Sequence, residues 1–395
     1  MSRNLPSSRS RRIARQLVAL GTAAAATTAF TSFAQSASAV DGGQSRVEHA
    51  VFVQTNDLAG NAVIAYARND DGSLKRLQTY STGGLGGTET GAVADPLASQ
   101  GGLTYDAKHG LLFAVNAGSD TFTVFRVRGG DLRRLDVISS RGHLPTSISV
   151  SGEVVYVLNA GYEGSISGFR IKGGSHVVPI ADSTRTLGLG NPATPFFLKS
   201  PSQVAITPDR SAVIIPTKTG NTLEVFPLSH EGVPAAAAVI NPSTAPVPFS
   251  VVFDAAGRAL VTEASGSQSS YVVNADGTLS LVSRVANGQK AGCWSVVAKG
   301  YIYDSNSGSN SITGYSEDAS GHLALLNETG VTATTDAAPV DMAVSGDEGY
   351  LYQQATVAGT IDIYSVNNDG SLTRVGTVTG FTPDNGSGIE GIAAS

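Results

Sequence analysis

Apolar and polar side chains alternate along this chain in short runs. Pro145-Thr146-Ser147-Ile148-Ser149-Val150 sets its branched apolar residues on one face and small polar residues on the other. Val154-Val155-Tyr156-Val157-Leu158 is apolar throughout. The first pattern predicts a half-buried strand, and the second a strand covered on both faces. Between such runs lie Gly, Asn and Asp clusters. Asp70-Asp71-Gly72-Ser73-Leu74, Ala275-Asp276-Gly277-Thr278-Leu279 and Asn368-Asp369-Gly370-Ser371-Leu372 read as tight hairpin turns, because Asp-Gly supplies the positive φ such turns require.

The runs recur in sets of four. Asn116-Ala117-Gly118-Ser119-Asp120-Thr121-Phe122 returns as Asn159-Ala160-Gly161, then Ser165-Ile166, and again as Ser305-Asn306-Ser307-Gly308-Ser309-Asn310-Ser311-Ile312. First strands of the sets are expected near Gln100, Pro145, Pro201, Pro248, Gly292, Pro339 and Gly388. Residues 49–82 form a set lacking its first strand, while Gly388–Ala394 is a first strand with nothing after it. The two fragments complete each other. The expected fold is therefore all-β: a seven-bladed β-propeller with four antiparallel strands per blade, its first blade closed by the C-terminal strand. Two connections break the rhythm. Residues 83–99 are Gly-rich and carry Glu89 and Asp95, and residues 173–200 include Phe196-Phe197. Both are expected on the face where binding loops gather, at the mouth of the central channel.

Composition changes this picture mainly at the front end. Residues 1–39 hold five arginines, no acid and an Ala/Thr-rich apolar run, ending in Ala37-Ser38-Ala39. They read as a secretory signal peptide cleaved before Val40, leaving residues 40–395 as the propeller domain of a secreted, extracellular protein. Ser10-Arg11-Arg12 partly fits the twin-arginine route, with the ordinary secretory route as the alternative. Of 26 basic residues five leave with the signal and of 32 acidic ones none does, so the formal charge falls from −6 to −11. That balance argues against nucleic acid and anionic membrane surfaces as partners. A small-molecule ligand or an extracellular partner, bound by a monomer, is the expectation. The single cysteine, Cys293, excludes an internal disulfide and reads as a small buried residue.

Chemistry is sparse in the sequence. No Gly-x-Ser-x-Gly elbow occurs, and none of the six histidines pairs at metal-ligand spacing. His109, His176, His230 and His322 fall in or near turns and read as solvated. His143, on the expected functional face, is the one imidazole placed to serve as a base, with Arg141 beside it able to bind a carboxylate. Glu263, at the end of a second strand, is the leading catalytic candidate. Its alternative is a carboxylate that holds the adjacent Ser/Gly loop. Gln203, Asp341 and Glu390 fall in first strands, which line a propeller's channel, and with Trp294 they are candidate ligand-binding residues. No cofactor or metal is expected. Calcium held by Asp341, Glu390 and Glu263 is conceivable on ligand type, yet no spacing motif indicates it.

The phrases Asn159–Ile171, Ser305–Ile312 and Thr262-Glu263-Ala264-Ser265, with Gly188-Leu189-Gly190-Asn191, resemble the lactonase family of seven-bladed propellers. That family includes the 6-phosphogluconolactonases and the 3-carboxymuconate lactonizing enzymes. The resemblance covers residues 40–395 in register and implies the same fold. It also implies a site built from a general acid/base and arginines. The family's Pro-His-x-His stands here as Ser200-Pro201-Ser202-Gln203, its Pro-Arg-His as Pro248-Phe249-Ser250, and the arginine of its Ser-Asn-Arg-Gly as Ser307. Only the acid of its Asn-Glu-Leu-Ser remains, as Glu263. Without these cations a sugar phosphate or tricarboxylate loses its charge-assisted contacts. Two functions stay open. One is hydrolysis of a neutral lactone, with Glu263 as acid/base and Gln203 and Arg141 orienting the carbonyl. The other is non-catalytic binding of an extracellular ligand or partner at the same mouth.

Overall fold

A computed structural model describes residues 47–381 and 389–395. The proposed signal segment, residues 1–39, lies outside the described residues. The described chain forms seven antiparallel sheets. Each runs from an inner first strand to an outer fourth strand, and two carry an added two-residue strand on the third. Blade one pairs Leu74–Ser81, Ala62–Arg68 and Ala50–Gln54 with the C-terminal Ile392–Ala394. The remaining blades follow in chain order, with blade two at residues 103–139 and blade seven at residues 339–379.

The burial of each strand follows from its rank. Second strands are sandwiched between neighbouring blades, so Leu111–Asn116, Val154–Asn159 and Ala212–Thr217 are buried at every position. Fourth strands face water along one side, as Leu74–Ser81 and Leu372–Thr379 do. The cores lie between blades. Phe122 of blade two meets Phe169 of blade three edge to face at 5.0 Å. No helix among the described residues is long and apolar enough to cross a membrane.

The hairpin turns form where Asp-Gly predicts them. Gly72, Gly277 and Gly370 have φ of +82°, +86° and +82°. The aspartate before each glycine accepts from the backbone N–H and hydroxyl of the residue after it. Three buried tyrosines use such turns as sockets. Tyr352 donates to the Gly72 carbonyl, Tyr303 to that of Gly370 and Tyr156 to that of Gly232, each reaching into the next blade.

Closure is by hydrogen bonds as well as packing. Val51, Phe52 and Val53 pair with Ala394, Ala393 and Ile392. Gln54 and Gly391, and Ala50 and Ser395, extend the ladder at either end. The fourth blade departs from expectation. Its first strand is only Ala205–Ile206, and Pro201 makes a single isolated bridge to Thr217. His109 departs too. It is enclosed by Asp106 and Glu153 rather than solvated, while His176, His230 and His322 are exposed.

Candidate functional site

At the mouth of the channel the first strands begin with a recurrent irregularity. The pairing register slips between Pro145 and Ser147, Pro248 and Ser250, Gly292 and Trp294, and Pro339 and Met342. The bulged residues are Thr146, Phe249, Cys293 and the pair Val340-Asp341. A bulge re-aims its side chain. Phe249, Cys293 and Val340 accordingly cluster with Trp294 in a buried apolar collar. Burial pushes the Cys293 thiol up to about 12, which makes it inert as a nucleophile.

Residues 88–100 fill this collar from above. Ala94 packs against its apolar cluster. Asp95 turns the chain by accepting from the amides of Leu97, Ala98 and Ser99 at 2.9–3.0 Å. The turn then reaches several blades at once. Leu97 N–H donates to Glu390 of blade one, and Ser99 Oγ to the Thr146 carbonyl of blade three. The Ser99 carbonyl accepts from the Trp294 indole at 2.8 Å. Gln100 spans the channel and exchanges two hydrogen bonds with the backbone of Ser295 in blade six, at 2.8 and 3.1 Å. Gln203 clasps the backbone of Val251 in the same manner, joining blades four and five. The long insertion braces the outside of this plug. Thr90 bridges Phe196, and Phe196 packs on Phe197.

The plug carries charge inward. Lys218, fully buried, donates to the Ala98 carbonyl at 2.7 Å and lies 3.8 Å from Glu89 and 5.5 Å from the Phe249 ring centre. Burial pushes Glu89 up to about 8, against the pull of Lys218, and lowers Lys218. Glu89 Oε2 accepts from Ser200 at 2.6 Å. The sequence reading missed this pair. Its signal was available in the repeat: Lys218 stands where blades two and three have the buried Ala117 and Ala160. A cation in place of a buried methyl needs a partner.

Below the plug the channel is hollow. A cavity of about 330 Å³ runs along the first strands. Its plugged end is bounded by Gln100, Gln203 and Asp341. Its far end is bounded by Tyr105, Val150, Val344 and Ala394, all half-exposed. Asp341 is 6 % exposed, and no hydrogen bond reaches its carboxyl among the described residues. Burial, then the charge of Asp95, raises it well above the usual carboxylate range. Glu390 is raised likewise by burial and by its acidic neighbours.

Glu263 has a different setting. It is the last residue of its second strand and pairs with Ser267, the first of the third strand. Its two oxygens accept from Ser267 at 2.7 Å and Ser269 at 2.6 Å. Asn116 and Asn306 hold the same place in their blades and donate to Thr121 and Thr123, and to Ser311 and Thr313. Glu263 thus stands in a position where the repeat uses asparagine to clasp a hairpin. Burial pushes it up to about 7. His143 is exposed, its Nδ1 2.9 Å from Asp120 and its ring edge-on to Tyr162, and Arg141 is exposed beside it. The structure brings Asp341, Glu390, Gln203 and Trp294 to the channel and plug. It leaves Glu263 within blade five, and His143 with Arg141 on the connection between blades two and three. No group of three His, Cys, Asp or Glu among the described residues is arranged to hold a metal.

A family model described as lactonase, 7-bladed beta-propeller, matches residues 101–384. Among solved structures, the periplasmic gluconolactonase PpgL of Pseudomonas aeruginosa is similar, with a TM-score of 0.67 at 18% identity over 88% of this chain and 98% of that one. A candidate 6-phosphogluconolactonase from Bacteroides uniformis gives a TM-score of 0.67 at 16% identity, covering 88% and 99%. A protein from Lactobacillus plantarum gives 0.65 at 15% identity, covering 88% and 98%. No curated protein matches the sequence.

Proposed function

The chain belongs to the lactonase family of seven-bladed β-propellers, and from that premise we propose that it is an exported small-molecule-binding propeller. Its ligand occupies the channel beneath the plug rather than the mouth. One observation carries this reading: residues 88–100 fill the mouth and are bonded to blades one, three, four and six. A ligand at that mouth would have to displace these contacts. The channel cavity needs no such displacement. The family's mouth chemistry is also depleted at Gln203, Phe249 and Ser307. Export rests on residues 1–39, and the similarity to a periplasmic gluconolactonase supports it.

A second reading, hydrolysis of a neutral lactone, draws on Asp341. A carboxyl raised well above the usual range by burial suits general acid catalysis in a cavity of ligand size. Secreted protein assayed on glucono-δ-lactone and γ-butyrolactone separates the two. Binding alone gives no turnover above buffer. Turnover removed by Asp341→Asn but kept by Glu263→Gln establishes the hydrolase reading at Asp341. Turnover removed by Glu263→Gln returns catalysis to Glu263 and overturns the channel reading. Export is checked by the N-terminus of the secreted protein, expected at Val40.

A further inference from the structure

The channel cavity has one chemically unspent group. Aliphatic side chains, Leu103, Ile148, Val204, Val296, Met342 and Ile392 among them, share its wall with polar side chains and polar strand backbone. The polar groups that line it are largely engaged. Gln100 and Gln203 each spend their amide on a strand backbone. Thr104 donates to the Ile148 carbonyl, and Ser149 accepts from Ile206 N–H. Of the acids near the plug, Asp95 is taken up by three backbone amides, and Glu390 accepts from Leu97 through one oxygen while the other is buried without a partner. Neither lines the cavity. Asp341 does, at the closed end, more than nine-tenths buried and unpartnered among the described residues. The paired bulge at Val340-Asp341 turns it there, and Gln353 holds that bulge by donating to both carbonyls.

We infer that the channel is a binding site for a small aliphatic amine, whose hydrocarbon body lies along these aliphatic side chains and whose ammonium head pairs with Asp341 at the plugged end. This rests on the channel reading above and names its ligand class. The volume suits a molecule rather than a lone water, whose share of liquid volume is about 30 Å³. A buried carboxyl without a partner gains most from a cation that also brings hydrogen-bond donors. An anion at the same place meets an acid and no cation. A neutral alcohol gains only the apolar contacts and one hydrogen bond.

Calorimetric titration of the secreted protein with butylammonium, butanol and butyrate tests this. Butylammonium is expected to bind one site, and Asp341→Asn to weaken it at least about tenfold. Butanol binding is expected to be weaker and unchanged by that substitution. Butyrate is expected not to bind. Circular dichroism and the melting curve establish that Asp341→Asn is folded. Absence of butylammonium binding, or binding that Asp341→Asn leaves unchanged, overturns the ligand class. The channel itself is tested separately by filling it with Ala343→Phe or, at the half-exposed rim, Val344→Phe. If a folded variant of either kind binds butylammonium as the parent does, the channel reading fails. If butanol binds, is lost on filling the cavity, and butylammonium does not bind, the channel stands and the amine falls.

Discussion

Glu263 shows what one residue's neighbours do to its meaning. From the sequence it is an acid at the end of a second strand, suited to catalysis or to holding a loop. Its place in the repeat, shared with Asn116 and Asn306, connects it to the hydroxyls of its own third strand. Its raised pKa then follows from burial and has a measurable consequence. The unfolded carboxyl loses its proton near the ordinary value of 4.5, and the folded one near 7. Its contribution to stability is therefore complete below the lower value and is lost as pH rises through the upper one. The melting temperature should fall between about pH 5 and about pH 8. Glu263→Gln should reduce that loss by about 1–3 kcal/mol in denaturant titrations at the two pH values. An unchanged pH dependence would show that Glu263 is ionised in the fold. Lys218 teaches the reverse lesson. A lysine in a loop-flanking position reads as solvated, and only comparison with Ala117 and Ala160 reveals that its site is buried.

At the level of elements, the turns and the strand order were legible because they rest on local chemistry. Asp-Gly fixes a hairpin whatever surrounds it, as at Gly277. The first strands were legible less evenly. Pro201 opens its blade in the repeat, yet regular pairing is delayed to Ala205, because the facing Pro216 accepts from Ser202 N–H but has no N–H of its own to return. The bulges that shape the collar leave no mark in the sequence, since an extra residue in a strand costs nothing in composition. The tyrosine sockets link elements that the sequence holds far apart. Tyr303→Phe strips the Gly370 carbonyl of a buried donor and should cost about 1–3 kcal/mol in urea unfolding, without loss of amine binding. A loss under about half a kilocalorie per mole would mean the carbonyl finds water instead.

For the whole molecule, closure was the part most plainly written in the chain: a set without its first strand, and a first strand without its set. Ile392–Ala394 takes that place beside Val51–Val53. Removing residues 386–395 exposes both the edge of Ala50–Gln54 and the apolar faces of Val51 and Val53, and it should abolish soluble, cooperatively melting protein. A truncated form that is secreted and melts like the parent would refute this. The plug was the part least legible, because its hydrogen-bond partners come from four blades and no local pattern announces them. Its crossing of the channel, from Gln100 to Ser295, alters how the ring shares load. In a ring joined only rim to rim, one loosened seam lets the circle spring open while its other joints stay intact. Here the rim also has a hub. Opening a seam must drag Gln100 off Ser295 or Ser99 off Trp294, so damage at the circumference is felt at the axle, and the wheel tends to fail all at once.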